Sequence, residues 1–443
     1  MALSENLLKL DEIKANIKNT INMFGGDCGD DFTKYKRNIE KLFIERETND
    51  TKKVNFTIPS DITKIGKYAF SDNHSVSSIT IPDSVTYIDL GAFDSCDNLE
   101  TINIPNTVTY IGSHAFENCK SLREITLPTG IERYSTQSIF SGCKNLTSVT
   151  IPNETLNVPD SMFSNCISLT NVQLGDSTDS IGEGAFLGCM ELESIVLPST
   201  IGEIGKEAFK QCSKLNNITL PDNLYSIGDS AFMNCTAIEN ITIPEGAFSV
   251  PNQCFYHCTN LEGVELGENV ITIGDGAFHM CSKLREVVFP PILAEIGSYA
   301  FYLCESIKAI VLSDGLETIG QNAFWRCSSL SAITIPDSVN KIEMNAFTGC
   351  RALTEITLPE NLKDITDRLL MDCTSLTSVT LGSNIREIGT TAFANTPKLE
   401  TITYNGTLEQ WGRIHKESDW ITPSETAKLI CTNGEYLLKD RIQ

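Results

Sequence analysis

The apolar positions of this chain recur every 23 positions. A phenylalanine recurs at one position of nearly every repeat. Successive occurrences of this position are 23 residues apart, except for Phe116 and Phe140, which are 24 residues apart. The other residues at this position are Phe70, Phe93, Phe163, Phe186, Phe209, Phe232, Phe255, Phe278, Phe301, Phe324, Phe347 and Phe393, with Leu370 in the one place that lacks a phenylalanine. A period of this length over most of a chain is typical of a solenoid, whose coils bury their apolar sides only against one another. The pattern predicts about fifteen 23-residue coils.

Within each coil the spacing of apolar residues predicts two strands and a turn. Apolar residues nine and eleven positions after the phenylalanine, such as Ile102 and Ile104, alternate with polar ones, which predicts a strand with one buried face. A proline usually follows, as at Pro105, and ends the strand because it lacks an N–H. A second short apolar segment, such as residues 108–111, leads to the Ala-Phe pair, which we expect to form a short helical turn. The fold class is therefore a β-rich solenoid.

Cysteine is the other residue that marks the repeat. Thirteen of the sixteen cysteines lie three residues after the phenylalanine. Neighbouring coils would place these residues about 4.8 Å apart, but side chains in register point the same way, which does not suit a disulfide. We interpret these thirteen cysteines, stacked from coil to coil, as a ladder of buried, reduced thiols. The chain has no C-x-x-C pair, and its five histidines show no metal-ligand spacing, so we predict no metal and no cofactor.

Two helical patterns precede the repeat, in residues 1–52. The first has apolar residues at alternating four- and three-residue steps, broken only at Lys14, and fits an amphipathic helix. The alternative is a small coil through which the chain forms a homo-oligomer. The second lies where a preceding coil would be, and we predict that it caps the solenoid. The residues of the two stripes are Leu3, Leu7, Leu10, Ile17, Ile21 and Phe24, and then Phe32, Tyr35, Ile39 and Leu42.

The last residues depart from the repeat and predict a C-terminal cap. Residues 429–438 read as a β-hairpin around Asn433 and Gly434. We expect Trp411 and Trp420 to cover the open edge of the last coil, and ligand binding is the alternative for both. The predicted domains are a helical segment at 1–52, the solenoid at 53–404 and a capping module at 405–443.

Charge and motifs exclude several classes of function. A net charge of -23 argues against binding nucleic acid through its phosphates. No apolar run approaches the roughly 18 residues of a spanning helix, so we expect no membrane insertion, and the first residues lack the pattern of a secretory signal, so we expect cytoplasmic synthesis without export. Since no phosphate loop, zincin helix or nucleophile elbow is present, we predict that the protein is not an enzyme.

Two places in the repeat are candidates for ligand binding. The outward positions of the first strand are mostly Ser, Thr and Asn, which is typical of a solvated sheet face, but Val288, Ala309, Val311 and Ala332 form a local apolar cluster. The second place is the 24-residue step, where Tyr134 replaces the usual isoleucine and the loop gains a residue.

The repeat motif resembles a known family. The pattern L-x-x-I-x-L-P-x-x-V-x-x-I-G-x-x-A-F-x-x-C, over residues 54–404, is similar to the BspA-type leucine-rich repeat of bacterial and some protist surface proteins. This resemblance implies a leucine-rich repeat solenoid that serves as a binding or adhesion scaffold, with a protein or a cell-envelope glycan as its ligand.

Both ends resemble proteins of phages. Residues 7–35 are similar to the leading segments of tail-associated proteins of phages and prophages from Firmicutes, and residues 404–434 look like a closing module of repeat proteins from the same setting. The resemblance implies a tail component for host-surface recognition or tail structure, found in the virion after cytoplasmic synthesis. The alternatives are an adhesin at the bacterial cell surface and a protein-interaction scaffold in the cytoplasm.

Overall fold

The computed structural model of the protein describes residues 54–129, 131, 133–134, 137–422 and 426–440. The chain folds as two units, Met1–Asn217 and Ile218–Gln443, and the same type of coil builds both. The predicted helical cap, and the helix suggested for a homo-oligomer, lie outside the described residues. They stay predictions, as do the domain boundaries at 52/53 and 404/405.

In unit 1, Met1–Asn217, most coils contribute one strand to each of two rows. The buried residues of the first row are those that the alternation predicts: Ile79 and Ile102 are paired in parallel register and buried, while Thr80 and Asn103 are exposed. The first row consists of β1 (Val54–Thr57), β3 (Val76–Thr80), β5 (Thr101–Asn103), β7 (Glu124–Thr126), β9 (Ser148–Thr150) and β11 (Asn171–Gln173), and the second row of β2 (Lys64–Ile65), β4 (Tyr87–Ile88), β6 (Tyr110–Ile111), β8 (Arg133–Tyr134), β10 (Asn157–Val158), β12 (Ser180–Ile181) and β13 (Glu203–Ile204).

In unit 2, Ile218–Gln443, the same two rows recur. Ile310 and Ile333, for example, are paired in parallel register and buried. The first row consists of β15 (Asn240–Ile243), β17 (Gly263–Leu266), β19 (Glu286–Val288), β21 (Ala309–Val311), β23 (Ala332–Thr334), β25 (Glu355–Thr357), β27 (Ser378–Leu381), β29 (Thr401–Tyr404) and β31 (Lys428–Cys431), and the second row of β14 (Ser226–Ile227), β16 (Ser249–Val250), β18 (Thr272–Ile273), β20 (Glu295–Ile296), β22 (Thr318–Ile319), β24 (Lys341–Ile342), β26 (Asp364–Ile365), β28 (Glu387–Ile388) and β30 (His415–Lys416). These rows confirm the predicted β-rich solenoid.

Each phenylalanine lies in a series of tight turns, so our prediction of a short helical turn is wrong. The residues two before and two after Phe324, which are Asn322 (φ 56°) and Arg326 (φ 55°), have left-handed backbone conformations, and the other coils repeat this feature. Left-handed residues interrupt the hydrogen-bond pattern of an α-helix. The Phe324 N–H instead donates to the Ala346 carbonyl of the following coil at 2.9 Å. The turn thereby ties one coil to the next.

The phenylalanine rings stack along the core of each unit. In unit 2 the Phe278 and Phe301 ring centroids are 5.3 Å apart, and those of Phe301 and Phe324 are 5.2 Å apart, with interplanar angles of 14° and 2°. All three rings are fully buried. Each ring therefore covers the face of its neighbour, which confirms the predicted central position of this residue.

The cysteine ladder is buried, and its thiols hydrogen-bond to the backbone. Cys304 Sγ donates to the Phe278 carbonyl of the preceding coil at 3.1 Å, and that carbonyl also accepts from the Cys281 N–H at 3.2 Å. The thiol thus satisfies the second lone pair of a buried carbonyl. Burial raises the pKa of these thiols, to about 12 at Cys258. They consequently stay protonated and can donate.

The C-terminal module of unit 2 closes its last coil. It contains a short helix, α1 (Leu408–Trp411), and the predicted hairpin, in which β31 pairs antiparallel with β32 (Gly434–Leu437); a 3-10 helix, Leu438–Asp440, follows. The Phe393 N–H, which in a regular coil would donate to the next coil, donates to the Trp420 carbonyl at 2.9 Å. The module therefore occupies the place of a further coil.

We predict that Phe278→Ala lowers the free energy of unfolding by about 3–5 kcal/mol, because it removes one fully buried ring from the stack and leaves a cavity. Urea unfolding of the purified protein measures this loss. Phe278→Leu is the matched control and should cost less, since Leu370 occupies this place in one native coil. A loss below about 1 kcal/mol for the alanine variant would contradict the role of the stack.

Candidate binding surface

The apolar cluster predicted on the sheet face is exposed in unit 2. Val288 in β19 and Val311 in β21 hold the same position in successive coils and are 68% and 72% exposed. Ala309 in β21 and Ala332 in β23 are paired in register and are also exposed. Because β-strand side chains alternate between faces, the inward-facing Val287, Ile310 and Ile333 fix all four on the outer face; Ile310 and Ile333 are buried and Val287 is partly exposed. We call these four residues the sheet-face patch.

The other predicted site residues lie elsewhere. Trp411 and Trp420 are each 1% exposed and pack edge to face with their ring centroids 6.0 Å apart. Trp420 also packs edge to face against Phe393, at 5.7 Å. Neither tryptophan is part of an exposed surface. The backbone of Tyr134 pairs with Ile111, but its side chain lies outside the described residues.

Four aromatic side chains form a second surface feature of unit 2, which we call the aromatic strip. They are Tyr256, His279, Tyr302 and Trp325, each one residue after the phenylalanine of its coil and each partly exposed. Successive ring centroids are 4.4, 4.5 and 4.5 Å apart, and the interplanar angles are 12°, 11° and 4°. The Arg326 guanidinium carbon lies 4.3 Å from the Trp325 ring centroid, which is cation–π geometry.

His279 is held as a neutral ring inside this strip. Its Nδ1 is buried and has no hydrogen-bond partner in the described part of the chain. Burial, with a smaller contribution from His257, lowers the pKa of His279 to about 4. A neutral imidazole between Tyr256 and Tyr302 avoids placing a desolvated cation in the stack.

A third feature consists of exposed apolar side chains next to the second strand row of unit 2. Tyr225, Phe248 and Ile271 each precede a strand of that row, and they are 61%, 61% and 41% exposed. The Ile271 N–H donates to the Phe248 carbonyl at 2.9 Å, which fixes these two residues in register. We call these three residues the corner column.

The sequence contains the signal for both additional features. The members of the aromatic strip, and those of the corner column, follow one another at steps of 23 positions. The sheet-face patch was predicted from the outward positions of the first strand, but every position of a solenoid repeat forms a column on the surface or in the core. Comparing all 23 positions of the repeat would have identified both features.

One group of side chains in the described residues could hold a metal ion. Glu387 in β28 pairs in register with His415 in β30, and Glu417 lies two residues further along the chain. One ligand atom from each of the three lies within 4.8 Å of the others. The two residues paired in register are exposed and Glu417 is partly exposed, so water can stabilise their charges without an ion. The sequence could not predict this group, because the C-terminal module breaks the repeat between Glu387 and His415.

None of the helices in the described residues has the length and hydrophobicity that crossing a membrane requires.

The surface features of unit 2 combine apolar contact area with a few hydrogen-bond donors, an arrangement suited to binding.

We predict that His279 makes the stability of the protein depend on pH between about 6.5 and 4. Its pKa is lowered in the folded state, so in this window the unfolded chain binds a proton that the folded chain does not, and the free energy of unfolding falls as the pH falls. His279→Phe keeps a ring in the stack and removes the titration. Thermal melts at a series of pH values should show that the melting temperature of the variant rises relative to that of the parent protein as the pH drops from 6.5 to 4. Parallel curves for the two proteins would exclude this role.

Comparisons with known proteins identify the family. A family model described as "BspA type Leucine rich repeat region (6 copies)" matches residues 48–170, 136–258, 179–308 and 294–414. The chain is similar to the crystal structure of a leucine-rich repeat protein from Bacteroides ovatus, with 30% identity over 85% of this chain and 93% of that one and a TM-score of 0.66. It is also similar to a leucine rich cell surface protein from Faecalibacterium prausnitzii, with 25% identity over 84% of this chain and 93% of that one and a TM-score of 0.38. No curated protein matches the chain. The resemblance noted over residues 54–404 is thereby confirmed, and the chain belongs to the BspA-type leucine-rich repeat family.

Proposed function

We propose that the protein is a non-enzymatic binding protein whose sheet-face patch contacts a protein ligand or a cell-envelope glycan. Leucine-rich repeat solenoids of this kind are binding and adhesion scaffolds. The observation that carries the proposal is the exposure of Val288 and Val311, at 68% and 72%, on a face whose other outward positions are mainly polar.

Two physical arguments support this choice of surface. Exposed apolar side chains that cluster on an otherwise polar face are typical of interaction sites, whereas single ones are ordinary. Covering them releases about 25 cal/mol for each Å² of apolar area removed from water. Beneath the patch, β19 pairs in parallel with β17, and β21 pairs in parallel with β23, over a packed core. These contacts hold the backbone, so little order is lost on binding.

Val288→Asp and Val311→Asp should each weaken binding to bacterial envelope preparations by about tenfold or more, because a carboxylate would be buried without a partner in the contact. Co-sedimentation with envelopes measures the apparent affinity. Val196→Asp is the matched control: Val196 holds the same repeat position in unit 1 and is 81% exposed. Equal weakening by all three variants, or no binding by the parent protein, would refute the proposal.

We further propose that this binding serves a phage or prophage tail, in host-surface recognition or in tail structure. The proposal rests on the resemblance of residues 7–35 to the leading segments of tail-associated proteins, and of residues 404–434 to a closing module of repeat proteins from the same setting. A cell-surface adhesin and a cytoplasmic interaction scaffold are the alternatives. Surface proteolysis of intact cells would cleave the adhesin, and affinity capture would return a cytoplasmic partner for the scaffold.

Proteomics of purified particles tests the tail assignment. After prophage induction in the strain that carries the gene, the protein should co-purify with virions through a density gradient. Its absence from particles that contain the known tail proteins would contradict the assignment, while leaving the sheet-face patch open to the envelope assay.

A further inference from the structure

We propose that the aromatic strip of unit 2 is a second binding site, and that its ligand is an extended proline-rich segment in the polyproline II conformation. The strip belongs to the phenylalanine turns and not to the strand that carries the sheet-face patch, so this proposal does not depend on the function proposed for that patch.

The stacked arrangement determines which atoms a partner can reach. Because the rings of Tyr256, His279, Tyr302 and Trp325 lie within 12° of parallel to their neighbours, their faces cover one another. Arg326 lies over the Trp325 ring. The accessible atoms are therefore at the ring edges, which carry the positive end of the aromatic quadrupole. An edge surface favours hydrogen-bond acceptors over a sugar ring, which would need an open aromatic face.

The strip is rich in hydrogen-bond donors. The hydroxyls of Tyr256 and Tyr302 and the indole N–H of Trp325 make no hydrogen bond within the described part of the chain, and Arg326 adds an exposed guanidinium. Burial raises the pKa of Tyr302, and the charged or titratable groups that also act on it are Arg326, Tyr299 and Tyr256, none of them a carboxylate. A ligand that matches this surface must offer a row of acceptors.

The charge of the whole chain limits what that ligand can be. With a net charge of -23, the protein repels polyanions such as nucleic acids or phosphate-rich wall polymers at long range. A neutral ligand with many carbonyls is favoured. A polyproline II helix is such a ligand, because its backbone carbonyls make no internal hydrogen bonds and stay open to donors.

The spacing of the strip matches this helix. The ring-centroid distances are 4.4 Å from Tyr256 to His279 and 4.5 Å from His279 to Tyr302, and a further 4.5 Å separates Tyr302 from Trp325. Alternate rings are therefore about 9 Å apart along the strip. A polyproline II helix repeats every three residues, or about 9 Å. Alternate rings can thus meet equivalent carbonyls on successive turns. An extended β-strand presents equivalent groups about every 7 Å, which does not match the spacing of alternate rings.

Tyr299 gives the strip a side wall. It is 39% exposed, and its ring is tilted by 39° to His279 and by 50° to Tyr302, with centroid distances of 6.4 and 5.7 Å. This ring departs from the parallel stack, so part of its face is open to a pyrrolidine ring. Aromatic-lined surfaces with nearby donors are the general means by which proteins recognise polyproline II segments.

The test is a titration of the full-length protein with a capped decaproline peptide, followed by tryptophan fluorescence. Trp325 is partly exposed whereas Trp411 and Trp420 are buried, so the signal reports on the strip. Tyr256→Phe and Tyr302→Phe each remove one donor and keep the ring, and each should weaken binding by about 3- to 10-fold. Tyr110→Phe is the matched control, because Tyr110 belongs to a stacked tyrosine pair in unit 1 at 4.2 Å.

Several outcomes would overturn the proposal. These are no binding of decaproline at millimolar concentration, equal binding of a Gly-Ser peptide of the same length, an equal effect of Tyr110→Phe, or displacement of the peptide by a neutral β-glucan oligosaccharide. Val288→Asp should leave peptide binding unchanged. The same titration on that variant therefore separates a failure of the strip from a failure of the sheet-face patch.

Discussion

The constraint on which this structure depends is that no single coil can bury its own phenylalanine. Each ring needs a neighbour at about 5 Å on either side, as Phe301 has with Phe278 and Phe324. The nearly constant length of the repeat follows, because the rings and the strands must stay in register from coil to coil. The one 24-residue step keeps both in register: Phe116 and Phe140 still stack at 5.2 Å, and Ile125 still pairs with Val149. The left-handed residues of the turn and the thiol that donates to the phenylalanine carbonyl serve the same purpose. They pair the polar backbone that a ring buried in a tight turn would otherwise leave without partners.

A core of this kind leaves the surface free to vary. Parallel ladders and the ring stack hold the backbone, so an outward residue contributes little to stability and can change without changing the fold. Repetition then converts similar changes in successive coils into continuous surfaces. The sheet-face patch, the corner column and the aromatic strip each arise in this way within unit 2, on three different segments of the coil. One fold thereby presents several candidate binding surfaces whose residues do not overlap.

The parts that could be predicted from the sequence are those with a period. The alternation around Ile79 and Ile102 predicts the strands, and the period of the repeat predicts which residues fill the core. The turn could not be predicted in the same way, because left-handed conformations at positions such as Asn322 and Arg326 follow from local sterics and not from hydrophobic spacing. The pairing of Glu387 with His415 was also inaccessible, since it depends on how the C-terminal module replaces a coil. The exposure of Val288 and Val311 was predictable because both lie on a regular strand.

At the aromatic strip the structure departs from what packing alone would select. His279 Nδ1 is buried without a partner in the described residues, and such a group costs about 1–3 kcal/mol. A phenylalanine would stack between Tyr256 and Tyr302 equally well without that cost. Residues that are locally unfavourable, such as a buried polar group without a hydrogen bond, are concentrated at functional sites, where the surrounding structure holds them in place. Because the ladder and ring stack stabilise the coils independently of this column, the fold can tolerate such a residue, and the strip can be selected for binding.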